Sequence, residues 1–570
     1  MTKKSFLLRT LLFLLLVCIA MIGVWSLVNF RPNVRSGQAL VRVSPETTYL
    51  EGPLDANGDV AYLEALNLEL AKGVTPENNS VVKFIQGFGG IAEGRFLEKE
   101  FFDRIGIAPP NRGAPRYLNF YDWMESKGIT QASGGQYDEL SSQWDFAGNA
   151  PWSADDFPEL SRWIEDVGPV AELFREGSLR PRYYHPLIVE AGDQQRVIEG
   201  RLSMVQMMRE IARFQSRRAM LKLEQGEVDA AFEDLLTTLR IGILVRQGGT
   251  LIEDLVGIAI QGIAISNVSV ICASGKPSSE ELKRFLSELE KLPTPNHIGH
   301  SLQLAERFML LDIIVAVGRG ETVYLDYMNG QMKPNRSATS SLIDVALKAV
   351  DWEECMIVAN RWYDRISEVA ETEDLGERRK GLAKLELELS QMAAKSRQPS
   401  NIALTVIGGR RAKGQAMAEI LIAMLTPALQ QVSAAETRIA AQMELAKVAV
   451  AVSAYKADHG SFPKSLGLLV PNYFDELPLD PCSRRPLKFS IEPNELGEDV
   501  VSLYSVGENG LDDGGMGDDL MVDWNVIDWD LPEEGRGGSL NAWYENDVDD
   551  ESLKESSNSQ TNSSDGEKIP

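Results

Sequence analysis

Cysteine and histidine are scarce in this 570-residue chain, at four residues each. That is too few, and too scattered, for a zinc or iron–sulfur framework. Positive charge is short as well: 57 Lys and Arg stand against 83 Asp and Glu, a formal charge of −26. Such a balance opposes binding to a phosphate backbone and leaves nucleic acid out of the expected partners. Gly-x-Ser-x-Gly elbows, phosphate-binding P-loops and dinucleotide fingerprints are absent, so the common signatures of acyl, phosphoryl and hydride transfer give no entry to an activity. Apolar residues make up 44% and charged residues 25%, the composition of a globular chain rather than a multispan membrane protein.

What the chain does have begins with an apolar run. Leu11 to Val28 reads LLFLLLVCIAMIGVWSLV without a charge, and as a helix it covers about 27 Å, close to a bilayer core. Trp25, Leu27, Val28 and Phe30 occupy its exit, where a cleavable signal would place small residues. The expectation is an uncleaved anchor. Lys3, Lys4 and Arg9 before it balance Arg31, Arg35 and Arg42 after it, so charge does not set the orientation. A short leading tail and a large acidic body with little cysteine favour a single-pass inner-membrane protein with its body in the periplasm. In that compartment Cys272 and Cys355 either pair or stay as free buried thiols.

Three- and four-residue apolar spacing predicts helices almost throughout from Val60 to about Ala457. Strong segments fall at 196–224, 227–247, 250–272, 278–292, 298–316, 340–371, 377–396 and 411–458. Thr75-Pro76-Glu77 reads as a helix start, and residues 106–155, rich in Pro, Gly and aromatics, as a long ordered loop. Lys222 to Ile241 resembles the turn and second helix of a tetratricopeptide repeat, with Gly226 in the turn, but no second copy follows. A plain helical hairpin is the better reading.

After Ala457 prolines cluster, and Val500 to Val506 reads as a strand. The predicted fold class is therefore mainly α. It comprises a tail and transmembrane anchor over 1–35, a helical extracytoplasmic body over 36–424, a small α+β domain over 425–530, and an acidic tail over 531–570. Residues 491–570 carry 22 acidic and 3 basic side chains, −19 of the total −26. The tail has too little apolar surface to offset ordering entropy and is expected to be disordered.

Chemistry concentrates between Gly507 and Trp524, in GENGLDDGGMGDDLMVDW. Asp512, Asp513, Asp518 and Asp519 crowd around glycines, where like charges repel unless a cation or water screens them. Ca²⁺ accepts six to eight oxygens, and glycine lets carbonyls turn inward as additional ligands. The spacing is not that of an EF-hand, and a solvated acidic turn is the competing reading. The series AYKADHGSFP, LVPNYFDELPLDP and LYSVGENGLDDGGMGDDLMVDW resembles the C-terminal domain of the type II secretion system protein G, the major pseudopilin. Tyr455, Gly460 and Pro463 fit its first turn, with His459 where Asn is common. Leu477, Pro478, Asp480 and Pro481 fit its Leu-Pro-x-Asp-Pro segment; Tyr504, Ser505, Gly507, Gly510, Gly514, Gly515, Asp518, Asp519 and Trp524 fit its strand and loop. The resemblance implies calcium at this loop, with Asp518 and Asp519 as leading ligands beside Asp512 and Asp513. It covers only about residues 425–525. The apolar segment that a pseudopilin carries on the same helix lies here about 400 residues upstream, without that family's Glu or Gly-Phe junction. The implied role is a borrowed module on a larger envelope protein.

Other candidates weigh less. His297, His300 and Glu306 have spacing that suits one metal or, more simply, a helix start. His185 with Arg180, Arg182, Tyr183 and Tyr184 suits an anionic group or a packed loop with cation–π contacts. The functional expectation is a non-enzymatic envelope protein acting through contacts with other envelope or secretion proteins. The alternative is a hydrolase or other enzyme in the helical body, which requires one of these histidines to meet a carboxylate from a distant segment.

Overall fold

The computed structural model describes residues 37–111, 113, 116–190, 195–321, 323–324, 347–396, 409–493 and 499–522. The anchor Leu11–Val28, Trp524 and the tail 531–570 lie outside the described residues. The protein is mainly helical with a small sheet.

The first layer holds α1 (Tyr62–Leu70), α2 (Ser80–Gly87), a two-residue hairpin β1 (Ile91–Ala92) and β2 (Arg95–Phe96), α3 (Lys99–Ile105), α4 (Phe120–Ser126), α5 (Gly135–Ala147) and α6 (Pro158–Ser178). Two expectations are corrected here. Helix α2 starts at Ser80, capped by Asn79 onto the Val81 amide. Thr75 closes a turn instead, accepting from the amides of Asn78 and Asn79. Residues 106–155 are not all loop, because α4 and α5 lie within them. Their helical period is masked by aromatics that stack on one another: Phe120 lies on Trp144 at 5.2 Å, and Trp144 meets Trp163 edge-on at 5.2 Å. The guanidinium of Arg217 lies over the Trp144 ring at 3.6 Å.

The core layer is α7 (Ser203–Glu224), α8 (Val228–Val245), α9 (Leu251–Ala273) and α10 (Ser279–Glu290). Gly226 takes the left-handed turn between α7 and α8 at φ 80°, so the hairpin at 222–241 forms. Capping boxes at Thr250–Glu253 and Ser278–Glu281 start α9 and α10. Among the described residues α9 alone is long and apolar enough to cross a membrane. Here it is a core helix, packed by α7, α8 and the long C-terminal helix, which explains apolar residues on every side. Gly242 and Gly257 set how closely α8 and α9 approach: a Cβ on Gly257 would lie 2.5 Å from the Gly242 carbonyl.

The chain continues through α11 (Ile298–Ser301), a π-helical stretch at Leu302–Glu306, α12 (Arg307–Gly318), α13 (Trp352–Ala370) and α14 (Leu375–Ser396). It then enters α15 (Gly409–His459), 51 residues long. This helix packs against α9, α10, α13 and α14, then against the sheet β3 (Lys488–Pro493), β4 (Asp499–Ser505) and β5 (Leu520–Met521). The strands are antiparallel in the order β3-β4-β5. Residue 425, the expected start of the α+β domain, falls inside α15. Leu503 and Val522 share one apolar core with Phe84, Leu235 and Ile260 of the helical layers, so the sheet unit is built onto the body. Cys272 and Cys355 are free, buried, and sit in different core clusters.

Candidate metal centre and other sites

Strands β4 and β5 pair at Tyr504–Met521 and Ser505–Leu520, so the acidic stretch is the loop that this short ladder closes. Within it Asp513, Asp518 and Asp519 each offer an oxygen within 4.8 Å of the others. Asn509 ties the group together: its backbone amide donates to Asp518 at 2.8 Å, and its side-chain amide donates to Asp513 at 3.0 Å and also to Asp518. The amides of Asp513 and Gly515 donate to Asp519 Oδ2 at 3.1 and 2.8 Å. Asp519 Oδ1 is shielded from solvent and has no partner, the position in the cluster with a free lone pair for a cation. Three carboxylates with an Asn amide form a hard, all-oxygen donor set once Asn509 turns its carbonyl inward, which fits Ca²⁺.

Asp512 stands apart from this triad. It pairs with Lys488 of β3 at 2.7 Å and accepts from Tyr504 at 3.0 Å, and the Lys488 contact holds its carboxyl below the usual range. Glycine is required where the loop folds on itself. At Gly507, φ is 67° and a Cβ would lie 2.1 Å from the Asp518 carbonyl; at Gly517, φ is 64° and a Cβ would lie 2.9 Å from Asp513 Oδ2.

Two residues that the sequence marks only as motif positions, or not at all, hold this unit in place. Asp480 accepts four hydrogen bonds, from the Cys482 amide at 2.9 Å, Ser483 Oγ at 2.9 Å, Ser505 Oγ at 2.7 Å and the Val506 amide at 3.2 Å. It thereby clamps the proline-rich segment onto the mouth of the acidic loop. Asp458 accepts from Tyr473 at 2.7 Å and pairs with Lys283 of α10 at 2.7 Å, which docks the end of α15 on the body.

His297, His300 and Glu306 do not converge on one ion. His297 Nδ1 lies 3.0 Å from the Arg378 guanidinium. Burial lowers the His300 pKa. Glu306 accepts from the Leu251 amide at 3.3 Å beside an apolar cavity of about 20 Å³ lined by Leu302, Tyr363 and Leu429, and burial pushes its carboxyl up to about 7. Its folded pKa thus exceeds the ordinary 4.5, so folding favours the protonated form. The stability this contributes is complete below pH 4.5 and is lost as pH rises through about 7. We expect unfolding free energy to fall by roughly 2–3 kcal/mol across that interval from this group. Denaturant titrations of the Glu306→Gln variant should lack this component; an unchanged profile would contradict it.

His185 has the distant carboxylate partner that an enzyme reading requires. Its Nε2 lies 2.6 Å from Glu253 Oε1, and both side chains are buried, while Glu253 Oε2 serves the Thr250 capping box. Arg180 and Arg182 are not free for an anion, since they donate to the carbonyls of Pro76, Asn79 and Lys72. The basic aromatic cluster is a packed loop with one His–Glu pair inside it. In comparisons with family models, with curated proteins and with solved structures, nothing matches this chain.

Proposed function

We propose that this protein is a single-pass envelope protein of the inner membrane, with a periplasmic helical body and a C-terminal module similar to that of type II secretion protein G. It acts through contacts or assembly with other envelope proteins, and calcium in the 507–519 loop rigidifies the module. The observation that carries this reading is the gathering of Asp513, Asp518 and Asp519 into one oxygen cluster with a shielded, unpartnered oxygen on Asp519. Support also comes from the arrangement around it: Asp480 of the Leu-Pro-x-Asp-Pro segment reaches the loop through Ser505 and Val506, and Arg438 of α15 pairs with Glu508 at 3.1 Å. A cation there would tie strand, proline segment and long helix into one rigid surface.

The test is thermal unfolding of the full chain in detergent with calcium or with chelator. At a calcium concentration about 100-fold above the dissociation constant, binding to the folded state alone adds roughly 2.7 kcal/mol. The double change Asp518→Ala with Asp519→Ala should abolish the gain, whereas Asp512→Ala should keep most of it. No shift in the unaltered chain rejects the calcium site. Assembly is read separately, by recovering partners from membranes with and without chelation; the same partners under both conditions count against a calcium-dependent surface.

A second reading, an enzyme in the helical body, is favoured by the His185–Glu253 pair and the cleft above it. Ser203 lines that cleft but makes no hydrogen bond to His185 among the described residues. The geometry supports ligand binding there before it supports nucleophilic catalysis.

A further inference from the structure

A cleft of about 340 Å³ opens between the β1–β2 hairpin and the segments around 185–190 and 201–203, within the size range of small-molecule sites. Its walls are apolar, formed by Ala92, Phe96, Leu97, Phe101, Ile188 and Val189, and buried His185 contributes to its lining. The charged groups on it are unevenly matched. Arg95 donates to Glu190 Oε1 at 3.0 Å, and Arg201 pairs with that same oxygen. Two guanidiniums with five donors each therefore share one carboxylate oxygen. Neither side chain has another ion-pair or hydrogen-bond partner among the described residues, so most of both donor forks are left over.

We propose that this cleft binds a small monocarboxylate with an apolar body: the body lies against Phe96, Phe101 and Ile188, and the carboxylate bridges Arg95 and Arg201. Planar forks suit a carboxylate better than a spherical anion, because two parallel N–H groups match its two oxygens. Glu93 and Glu98 also line the cleft; with Glu190 they outnumber the two guanidiniums, so a single carboxylate is held by the open N–H groups of the two forks and a second anionic group is disfavoured. The Glu253 pair holds the His185 ring in place on the cleft wall. This site is independent of the calcium loop.

The probe is 4-phenylbutyrate, compared with its neutral isostere 4-phenylbutyramide, titrated into the full chain in detergent and followed by ligand-observed NMR. The acid should bind saturably in the millimolar range or tighter, and the amide at least about tenfold more weakly. Arg95→Glu, at an exposed position, should weaken the acid by about tenfold or more and leave the amide unchanged. Equal binding of acid and amide overturns the proposal, as does an Arg95→Glu variant that binds the acid normally. If that variant does not fold, the comparison of acid with amide on the unaltered chain decides by itself.

Discussion

Asp480→Ala is expected to destabilise the sheet unit by about 3–5 kcal/mol, the range for stripping a buried charge from its hydrogen-bonded partners. Asp480 is only 1% exposed, and its two oxygens receive the Cys482 and Val506 amides and the Ser483 and Ser505 hydroxyls. Alanine leaves all four donors without their acceptor, two of them, the Ser505 hydroxyl and the Val506 amide, in buried positions. Asn at the same place keeps one acceptor but turns an NH₂ toward donors, so Asp480→Asn should lose a large part of the same energy. Exposed Asp475 is the control, and its change to Ala should move stability by no more than about 0.5 kcal/mol. Hydrogen exchange at the Ser502 and Tyr504 amides of β4 reads the local loss directly, since these face β3 while Leu503 turns its carbonyl to Val522 on the β5 side. Because Val506 begins the acidic loop, the same variant should also lose calcium-dependent stabilisation. Native protection at β4 in Asp480→Ala would show that the clamp contributes little.

Helices α7 to α10 are legible in the sequence because each carries a strong apolar period and a local end signal: the Gly226 turn, the Thr250–Glu253 box and the Ser278–Glu281 box. Each of these works within a few residues, so neighbours in sequence suffice to specify it. The strand at 500–506 and the acidic loop after it are visible for the same reason. The sequence does not reveal which of four crowded aspartates share a centre. Asp512 and Asp513 are adjacent, yet one turns to Lys488 across the sheet and the other to Asn509 and the triad; a partner on β3 decides this, and nothing local signals it. The partner of His185 is likewise hidden, lying 68 residues away. Helices α4 and α5 escape detection because their aromatic residues answer to tertiary stacking rather than to a regular stripe.

The most distant of these hidden contacts is also among the most consequential. Glu436 of α15 accepts from Arg246, 190 residues earlier, at 2.9 Å, and from Arg378 of α14. Arg246 lies 3.5 Å from Asp254, which accepts from Ser301, so five segments meet at one charged knot inside the protein. Burial raises the Glu436 pKa, but His297, Arg246 and Arg378 outweigh it and hold the carboxyl below its usual range. Burial pushes Asp254 up to about 7, with Glu436 adding to the rise. Glu436→Ala should therefore cost about 3–5 kcal/mol, because it leaves two buried guanidiniums short of an anion. Replacing Arg246, Arg378 and Glu436 by Met, Met and Leu, together with Asp254→Asn so that no buried carboxyl is left without its cation, should recover most of that loss, since an uncharged core needs no charge balance. The pH profile supplies an independent check. With Asp254 above its ordinary 3.8, the stability tied to its proton is complete below pH 3.8 and disappears as pH rises through about 7. Removing Glu436 takes away a repelling charge and leaves Arg246 to Asp254 alone, so the Asp254 pKa drops and this fall moves to lower pH. Urea midpoints between about pH 5 and pH 7, where Glu436 itself stays ionised, should show the Glu436→Ala deficit narrowing toward neutrality; a deficit that does not change over that range would mean that Asp254 and Glu436 titrate independently.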